Sequence, residues 1–283
     1  MRFVKGHGTE NDFVLLPDPD GALDLTEDRV RRLCDRRAGI GADGVLRVVR
    51  SAAAADAAPM AGEAEWFMDY RNADGSAVEM CGNGIRVFAR LLVRDGLAEP
   101  GELDIATRDG VKRVRAAATG DVTVDMGPAR LPGTDRKVAV GPRSASMPAV
   151  EVDVGNPHAV VFVDDLAEAG DLAQAPAVEP PYPDGVNVEF VAARGPRHVA
   201  MRVHERGVGE TRSCGTGACA AMVAAARRDG APRPAADGPG LAYVVDVPGG
   251  RLTVTERPDG HLELTGPAVL VADGTVSPDL WGS

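Results

Sequence analysis

The sequence predicts an α+β protein of two pseudo-symmetric domains, each a curved, mostly antiparallel sheet or barrel wrapped around a central helix, with the active site in the cleft between them. Three observations carry that expectation. Apolar residues alternate with polar ones in short runs, the period of half-buried strands. One succession, a strand, a polar turn, a cysteine and a glycine-rich helix start, occurs twice: EMCGNGIR around Cys81 is matched by RSCGTGAC around Cys214, 133 residues further on. The second of these helices, read from GACAAMVAAA, is apolar or small on every face, which a helix tolerates only when it is buried all round. A sheet must then nearly enclose it.

The first half opens with strands around Phe3-Val4 and over residues 13–16. Thr26, followed by Glu27 and Asp28, starts a helix with an apolar face of Val30, Leu33 and Cys34, and Gly39 is expected to stop it. A strand over 45–49 follows, then SAAAADAAPMAG (51–62), which reads as a low-complexity surface loop. A strand over 66–70 and the polar turn NADGS lead into the Cys81 helix, which ends at Arg94-Asp95-Gly96. A boundary at Gly127-Pro128 separates an N-terminal half, 1–127, to which a C-terminal strand within 267–283 returns, from a C-terminal half, 128–266. In that second half, strands over 150–154 and 160–163 flank the turn GNPH, and a proline-rich loop (176–185) precedes a strand over 186–191. A strand over 198–204 and the turn ERGVGET then lead into the Cys214 helix, which ends at Arg228-Asp229-Gly230. A shift of 133 residues lays Met68 on Met201, Cys81 on Cys214, Gly82 on Gly215 and Gly84 on Gly217.

Composition removes several functions. A formal charge of −11 over 283 residues, without a basic stripe, argues against nucleic acid as a partner. No apolar run approaches the roughly 20 residues of a membrane span, and MRFVKGHGTENDF lacks the apolar core of a signal peptide, so no membrane association and a cytoplasmic location are expected. Cys34, Cys81, Cys214 and Cys219 form no C-x-x-C pair, so neither a metal site nor a disulfide framework is indicated. Reduced thiols are the default.

A cysteine at a helix start feels the positive end of the helix dipole, which favours thiolate. The Gly-Asn-Gly or Gly-Thr-Gly that follows leaves backbone N–H groups open to a carboxylate or phosphate. A single C-G-x-G turn fits a tight helix start with a buried cysteine equally well; two copies in a duplicated chain shift the balance toward chemistry. Paired thiols suit inversion of a carbon bearing hydrogen, in which one group removes the proton and the other returns one to the opposite face. The pair would titrate as a coupled unit. Charge developing on an adjacent carboxylate would be stabilised by both helix starts.

HGTENDF (7–13), GIGADG (39–44), NADGS (72–76), CGNG (81–84), GNPH (155–158), VNVEF (186–190), ERGVGET (205–211) and CGTGACA (214–220) together resemble the diaminopimelate epimerase family, in the family's order and over nearly the whole chain. The resemblance implies a cofactor-independent isomerase that interconverts LL-2,6-diaminopimelate and meso-diaminopimelate in lysine and peptidoglycan-precursor biosynthesis. It makes Cys81 and Cys214 the catalytic acid/base residues, Cys214 the base toward the LL isomer and Cys81 the donor. It assigns His158 and Glu205 to tuning the thiols, and Asn11, Asn72, Asn156 and Asn187 to the substrate's polar ends. Gly82-Asn83 and Gly215-Thr216 match the helix-start donors to the reacting carboxylate, and Glu205-Arg206 a substrate-contacting pair in which Arg206 binds the distal carboxylate. The family also implies a homodimer, although Ala272 stands where some members carry a dimer-contact Tyr. Two further departures are Gly44, where many members have a substrate-touching Gln, and Glu10, where many have Gly.

Plainer readings stand beside these. Asn72 and Asn156 lie in turns where Asn serves the backbone, Arg206 could be a solvated loop charge, and Cys34 and Cys219 read as core. His7 reads as a backbone partner, and His198, His204 and His261 as surface residues. Alternative functions are a proline or hydroxyproline-type racemase and a non-catalytic amino-acid-binding protein on the same fold. Pyridoxal phosphate is disfavoured because only Lys5, Lys112 and Lys137 could form a Schiff base, none of them in a phosphate-cradling context.

Overall fold

The computed structural model describes residues 1–141 and 145–281. In chain order its elements are β1 (Arg2–Gly8), β2 (Asn11–Pro17), α1 (Glu27–Cys34), β3 (Gly44–Arg50), β4 (Trp66–Asn72), α2 (Gly82–Arg94), β5 (Gly101–Thr107), β6 (Gly110–Ala116) and β7 (Val122–Pro128). There follow β8 (Arg136–Ala139), β9 (Met147–Asp153), β10 (Pro157–Phe162), β11 (Ala177–Glu179), β12 (Asn187–Gly195), β13 (His198–Glu205), β14 (Gly209–Thr211) and α3 (Gly215–Arg228). The chain closes with β15 (Leu241–Val247), β16 (Gly250–Glu256), β17 (His261–Gly266), β18 (Val269–Thr275) and α4 (Pro278–Trp281). No helix among the described residues is long and apolar enough to cross a membrane. Two compact units result, Met1–Val124 with Gly266–Ser283, and Asp125–Thr265, the division falling inside β7.

The two units repeat one pairing scheme. In the first, β1–β2 is antiparallel, β2–β3 parallel, β3–β4 antiparallel, β4–β5 parallel, and β5–β6 and β6–β7 antiparallel. In the second, β9–β10, β10–β12, β12–β13, β13–β15, β15–β16 and β16–β17 run through the same senses in the same order. The parallel step β4–β5 spans α2, and its counterpart β13–β15 spans α3. β18 extends the first sheet by pairing with β1, and β8 extends the second by pairing with β9.

Each sheet packs on its own helix. α2 lies against β1, β2, β3, β4, β6 and β18, and α3 against β9, β10, β12, β13, β15 and β16. Ala218 through Ala226 of α3 are all buried, as an all-round apolar helix requires. α3 buries mostly alanines, whereas α2 buries the larger Ile85, Val87, Phe88, Leu91 and Leu92. Both helices stop on Asp-Gly, with Gly96 at φ +66° and Gly230 at φ +65°, the left-handed conformation glycine adopts without a Cβ penalty.

Two local expectations fail. α1 ends at Cys34 rather than at Gly39, because the Asp35 carboxylate accepts from the N–H groups of Arg37 and Ala38 and turns the chain out of the helix. Residues 51–62 are not merely a surface loop: Ala57 is fully buried, and Ala54 and Met60 pack on the cluster of Val49, Phe67 and Ala106.

Candidate functional site

Both thiols sit at the start of a buried helix. Cys81 is the N-cap of α2 in extended conformation (φ −143°, ψ 118°), and its Sγ accepts from the Gly84 N–H at 3.4 Å. Cys214 is the N-cap of α3 (φ −121°, ψ 118°), with Sγ accepting from the Gly217 N–H at 3.3 Å. Serine and aspartate usually cap this way; here a sulfur points at the positive end of each helix. The first-turn N–H groups have no acceptor inside the helix, so an anion is their natural partner.

In the first unit, Asn11, Asn83 and Cys81 come together. Cys81 Sγ lies 3.7 Å from Asn11 Oδ1, which also accepts from Asn83 Nδ2 at 3.3 Å. Asn11 Nδ2 in turn donates to Asp43 Oδ2 at 2.8 Å. Beside it Asp12 is held by Arg36 and Lys5; burial pushes its carboxyl up, but those two cations outweigh burial and bring it to about 2. Arg86, the largest fully buried side chain, ties the helix start together. It donates to the Gly82 carbonyl at 2.9 Å, to Asn83 Oδ1 at 2.9 Å and to Thr9 Oγ1 at 3.3 Å. Thr9 and Glu10 form the two-residue β1–β2 turn at φ 50° and 62°, so the backbone is of the kind that favours glycine at position 10. The Glu10 side chain is exposed there.

Asn72 closes the NADGS turn, its Nδ2 donating to Ser76 Oγ at 3.2 Å, while its Oδ1 accepts from the Tyr70 hydroxyl at 3.0 Å. The glycine at 44 now has a reason. A Cβ there would lie 2.5 Å from the Arg71 carbonyl and 2.7 Å from Cε2 of Tyr70, so β3 and β4 approach too closely for any side chain. Tyr70 fills the space a longer residue at 44 would need. Gly44→Ala is accordingly expected to lower stability by about 2–3 kcal/mol through forced strand separation, read as a drop in melting temperature; an unchanged melt would show that the strands can part freely.

In the second unit, Asn156, His158, Asn187, Glu205 and Cys214 form one cluster. His158 and Glu189 are fully buried, with His158 Nδ1 2.7 Å from Glu189 Oε1 and Nε2 3.0 Å from Asn156 Oδ1. Asn187 Nδ2 lies 4.0 Å from Cys214 Sγ, and Asn187 Oδ1 accepts from the Arg206 N–H at 2.8 Å. Thr216 Oγ1 is 3.4 Å from the sulfur. Glu205 accepts from Thr211 Oγ1 and is hydrogen-bonded to Cys214. The Arg206 guanidinium is exposed and donates to the Asp184 carbonyl at 2.9 Å.

The helix dipole does not decide the Cys214 thiol. Burial pushes it well above the ordinary thiol range, the Glu205 and Glu189 charges push the same way, and the Thr216 and Gly217 donors offset only part of this. Glu205 is itself raised, chiefly by burial and also by Glu189, against the opposing effects of Thr211, Cys214 and His158.

Among the remaining candidates, Cys34 and Cys219 are buried core, with burial holding the Cys34 thiol up at about 12. His7 Nδ1 accepts from the Glu10 N–H at 3.2 Å. His204 is not a surface residue: it is buried and bonds the Leu172 carbonyl at 2.8 Å. His198 and His261 are partly exposed and each lies against an acid, Asp246 at 2.7 Å and Asp125 at 2.9 Å. Sequence reasoning passed over Glu189, Tyr70 and Arg86. Glu189 lay inside the quoted VNVEF, and a charged residue within an apolar strand was the available signal.

A family model described as diaminopimelate epimerase matches residues 3–132 and 150–271. A diaminopimelate epimerase of Streptomyces coelicolor is 65% identical over 276 residues, covering 97% of this chain and 94% of its own length. Among solved structures, a phenazine biosynthesis protein of the PhzF family from Bacillus anthracis has a TM-score of 0.69 at 16% identity, covering 98% of this chain and 99% of its own. A probable proline racemase from Agrobacterium radiobacter has a TM-score of 0.68 at 16% identity, covering 100% and 98%. At such identities these two structures establish a shared fold and nothing about substrate.

Proposed function

The chain belongs to the diaminopimelate epimerase family, and from that premise we propose that it interconverts LL- and meso-diaminopimelate with Cys81 and Cys214 as its two acid/base groups. The observation that carries the reading is the pair of sulfur N-caps: each thiol stands at a helix start whose glycine-rich first turn turns N–H groups toward an anion. One sulfur, as thiolate, takes the α-proton; the other, as thiol, returns a proton to the opposite face; the roles exchange in the reverse direction. The carbanion is stabilised by spreading charge onto its carboxylate, which the Gly82-Asn83 and Gly215-Thr216 amides receive.

In this reading Asn11, Asn72, Asn156 and Asn187 hold the substrate's polar ends, the Glu205-Arg206 pair contacts substrate with Arg206 meeting the distal carboxylate, and His158 and Glu205 adjust the thiols. The hydrogen bonds already described support it, because Asn11 and Asn187 each lie against one of the two sulfurs. Two thiols and two helix starts supply base, acid and charge stabilisation, so the reaction calls for no pyridoxal phosphate. Cytoplasmic location and a homodimer complete the proposal. Four unbridged cysteines suit a reducing compartment, and the exposed Val269 and Val271 on β18 suit burial against a second copy.

The decisive assay supplies LL-diaminopimelate in deuterated water without added cofactor. The expected product is meso-diaminopimelate carrying deuterium at the inverted carbon. Exchange into proline but not diaminopimelate would favour the racemase alternative, and binding without α-hydrogen exchange would favour a non-catalytic module.

A further inference from the structure

The pairing registers let the two units be compared residue by residue. Phe13 stands beside Gly44 and Leu15 beside Leu46 across β2–β3; His158 stands beside Asn187 and Val160 beside Glu189 across β10–β12. Phe13 and Leu46 therefore occupy in the first unit the places of His158 and Glu189 in the second. Space at the helix starts gives the same correspondence. A Cβ built on Gly84 would meet Leu46 Cδ2 at 3.4 Å, Cys81 Cβ at 3.5 Å and Phe13 Cζ at 3.5 Å. A Cβ built on Gly217 would meet Glu189 Oε1 at 2.8 Å, Cys214 Cβ at 3.2 Å and Cys214 Sγ at 3.3 Å. One thiol helix thus rests on a phenylalanine and a leucine, the other on a buried histidine–carboxylate pair.

The geometry points to Glu189 as a positioning residue for Cys214: held by His158 and laid against the first turn of α3, it makes that thiol keep its proton until substrate arrives. This rests on the reading of Cys214 as an acid/base group. A carboxylate at the start of a helix takes up the favourable potential that a thiolate would otherwise use, and repels the thiolate as well. Glu189 Oε2 is buried with no hydrogen-bond partner among the described residues, so its charge is not spread over further donors. Gly217 is what lets the carboxylate come so near, since any side chain there would displace it.

Other charged groups on the strands around α3 are engaged elsewhere. Glu151 on β9 pairs with Arg136, Asp246 on β15 with His198 and Arg251, and Glu256 on β16 with Arg227. On β13, Arg202 pairs with Glu210, and His204 bonds the Leu172 carbonyl. Asp153 at the end of β9 accepts from the Gly155 N–H and Arg194 on β12 is exposed, so among the described residues Glu189, Glu205 and His158 are the titratable groups beside Cys214.

The test is the pH dependence of Cys214 alkylation in the full chain, followed site by site by mass spectrometry, with Cys34 as the unreactive control. In Glu189→Gln the midpoint for Cys214 is expected to fall by about one pH unit, the size of effect a neighbouring charge exerts. A second variant, His158→Phe with Glu189→Leu, copies the first unit's own packing. Because apolar residues of similar volume commonly replace buried charged groups together with their partners without loss of stability, it keeps the test available if the single change does not fold, and its midpoint is expected to fall as well. An unmoved or raised midpoint in a folded variant overturns the assignment. Alkylation needs no substrate, so this result is read separately from whether the chain turns over diaminopimelate.

Discussion

Cys81→Ala and Cys214→Ala are each expected to lower the rate of LL-to-meso conversion by about 10²- to 10⁴-fold, the contribution a positioned acid or base makes to proton transfer. Both changes remove more than a reactive group. Each sulfur also accepts the N3 amide of its helix, so loss of the cap costs about 1 kcal/mol of stability. That is small for helices whose buried faces are as extensive as those of α2 and α3, and both variants should fold. The variant that keeps the base for a given isomer is expected to exchange that isomer's α-hydrogen with deuterated water without forming the other isomer. Deuterium incorporation measured apart from stereochemistry separates the two half-reactions. Either variant retaining the wild-type rate would remove the two-thiol mechanism.

The second large effect lies in stability. Arg86→Met is expected to destabilise the first unit by about 3–5 kcal/mol, because buried acceptors lose charged donors that no water can replace. The Gly82 carbonyl, Asn83 Oδ1 and Thr9 Oγ1 all bond this guanidinium, and Thr9 is a β-branched residue held at φ 50°. A left-handed conformation costs an ordinary residue about 1–2 kcal/mol, so this turn depends on partners elsewhere. Denaturant titration measures the change, and a loss below about 1 kcal/mol, the size of a single ordinary hydrogen bond, would mean that the turn and helix start hold without Arg86. The corresponding place in the second unit, at a shift of 133 residues, is Cys219, a core thiol. The two helix starts are therefore braced differently although their C-G-x-G turns match.

What could be read from the sequence was what is encoded locally. Short apolar runs between turn signals placed β1 to β4, β9, β10, β12 and β13, and several of them (β2, β4, β10 and β12) are buried over four or more consecutive residues, as strands covered on both faces are. The cysteine followed by Gly-x-Gly marked both helix starts, since an N-cap side chain and its N3 amide are only three residues apart. Asp-Gly marked both helix ends for the same reason. Asp35 misled, because its carboxylate capped two amides and ended α1 before the glycine that looked like the stop. His204 misled because its partner, the Leu172 carbonyl, comes from a distant loop.

By itself, then, the amino-acid order determined the two thiol helices, the strands that precede them and the family to which the chain is similar, whereas β5 to β8, β11 and β14 to β17 carried no local signal that was read. Only the tertiary structure decided what lies beneath each sulfur. Parallel pairing of β10 with β12 brings His158 to Glu189, and pairing of β3 with β4 presses Tyr70 against Gly44. Register is a property of two strands at once, chosen by which faces can be buried together, and burial in turn sets how strongly one charge is felt by the next. Turns that share the C-G-x-G pattern can therefore carry thiols in different electrostatic surroundings, a difference that pattern does not record.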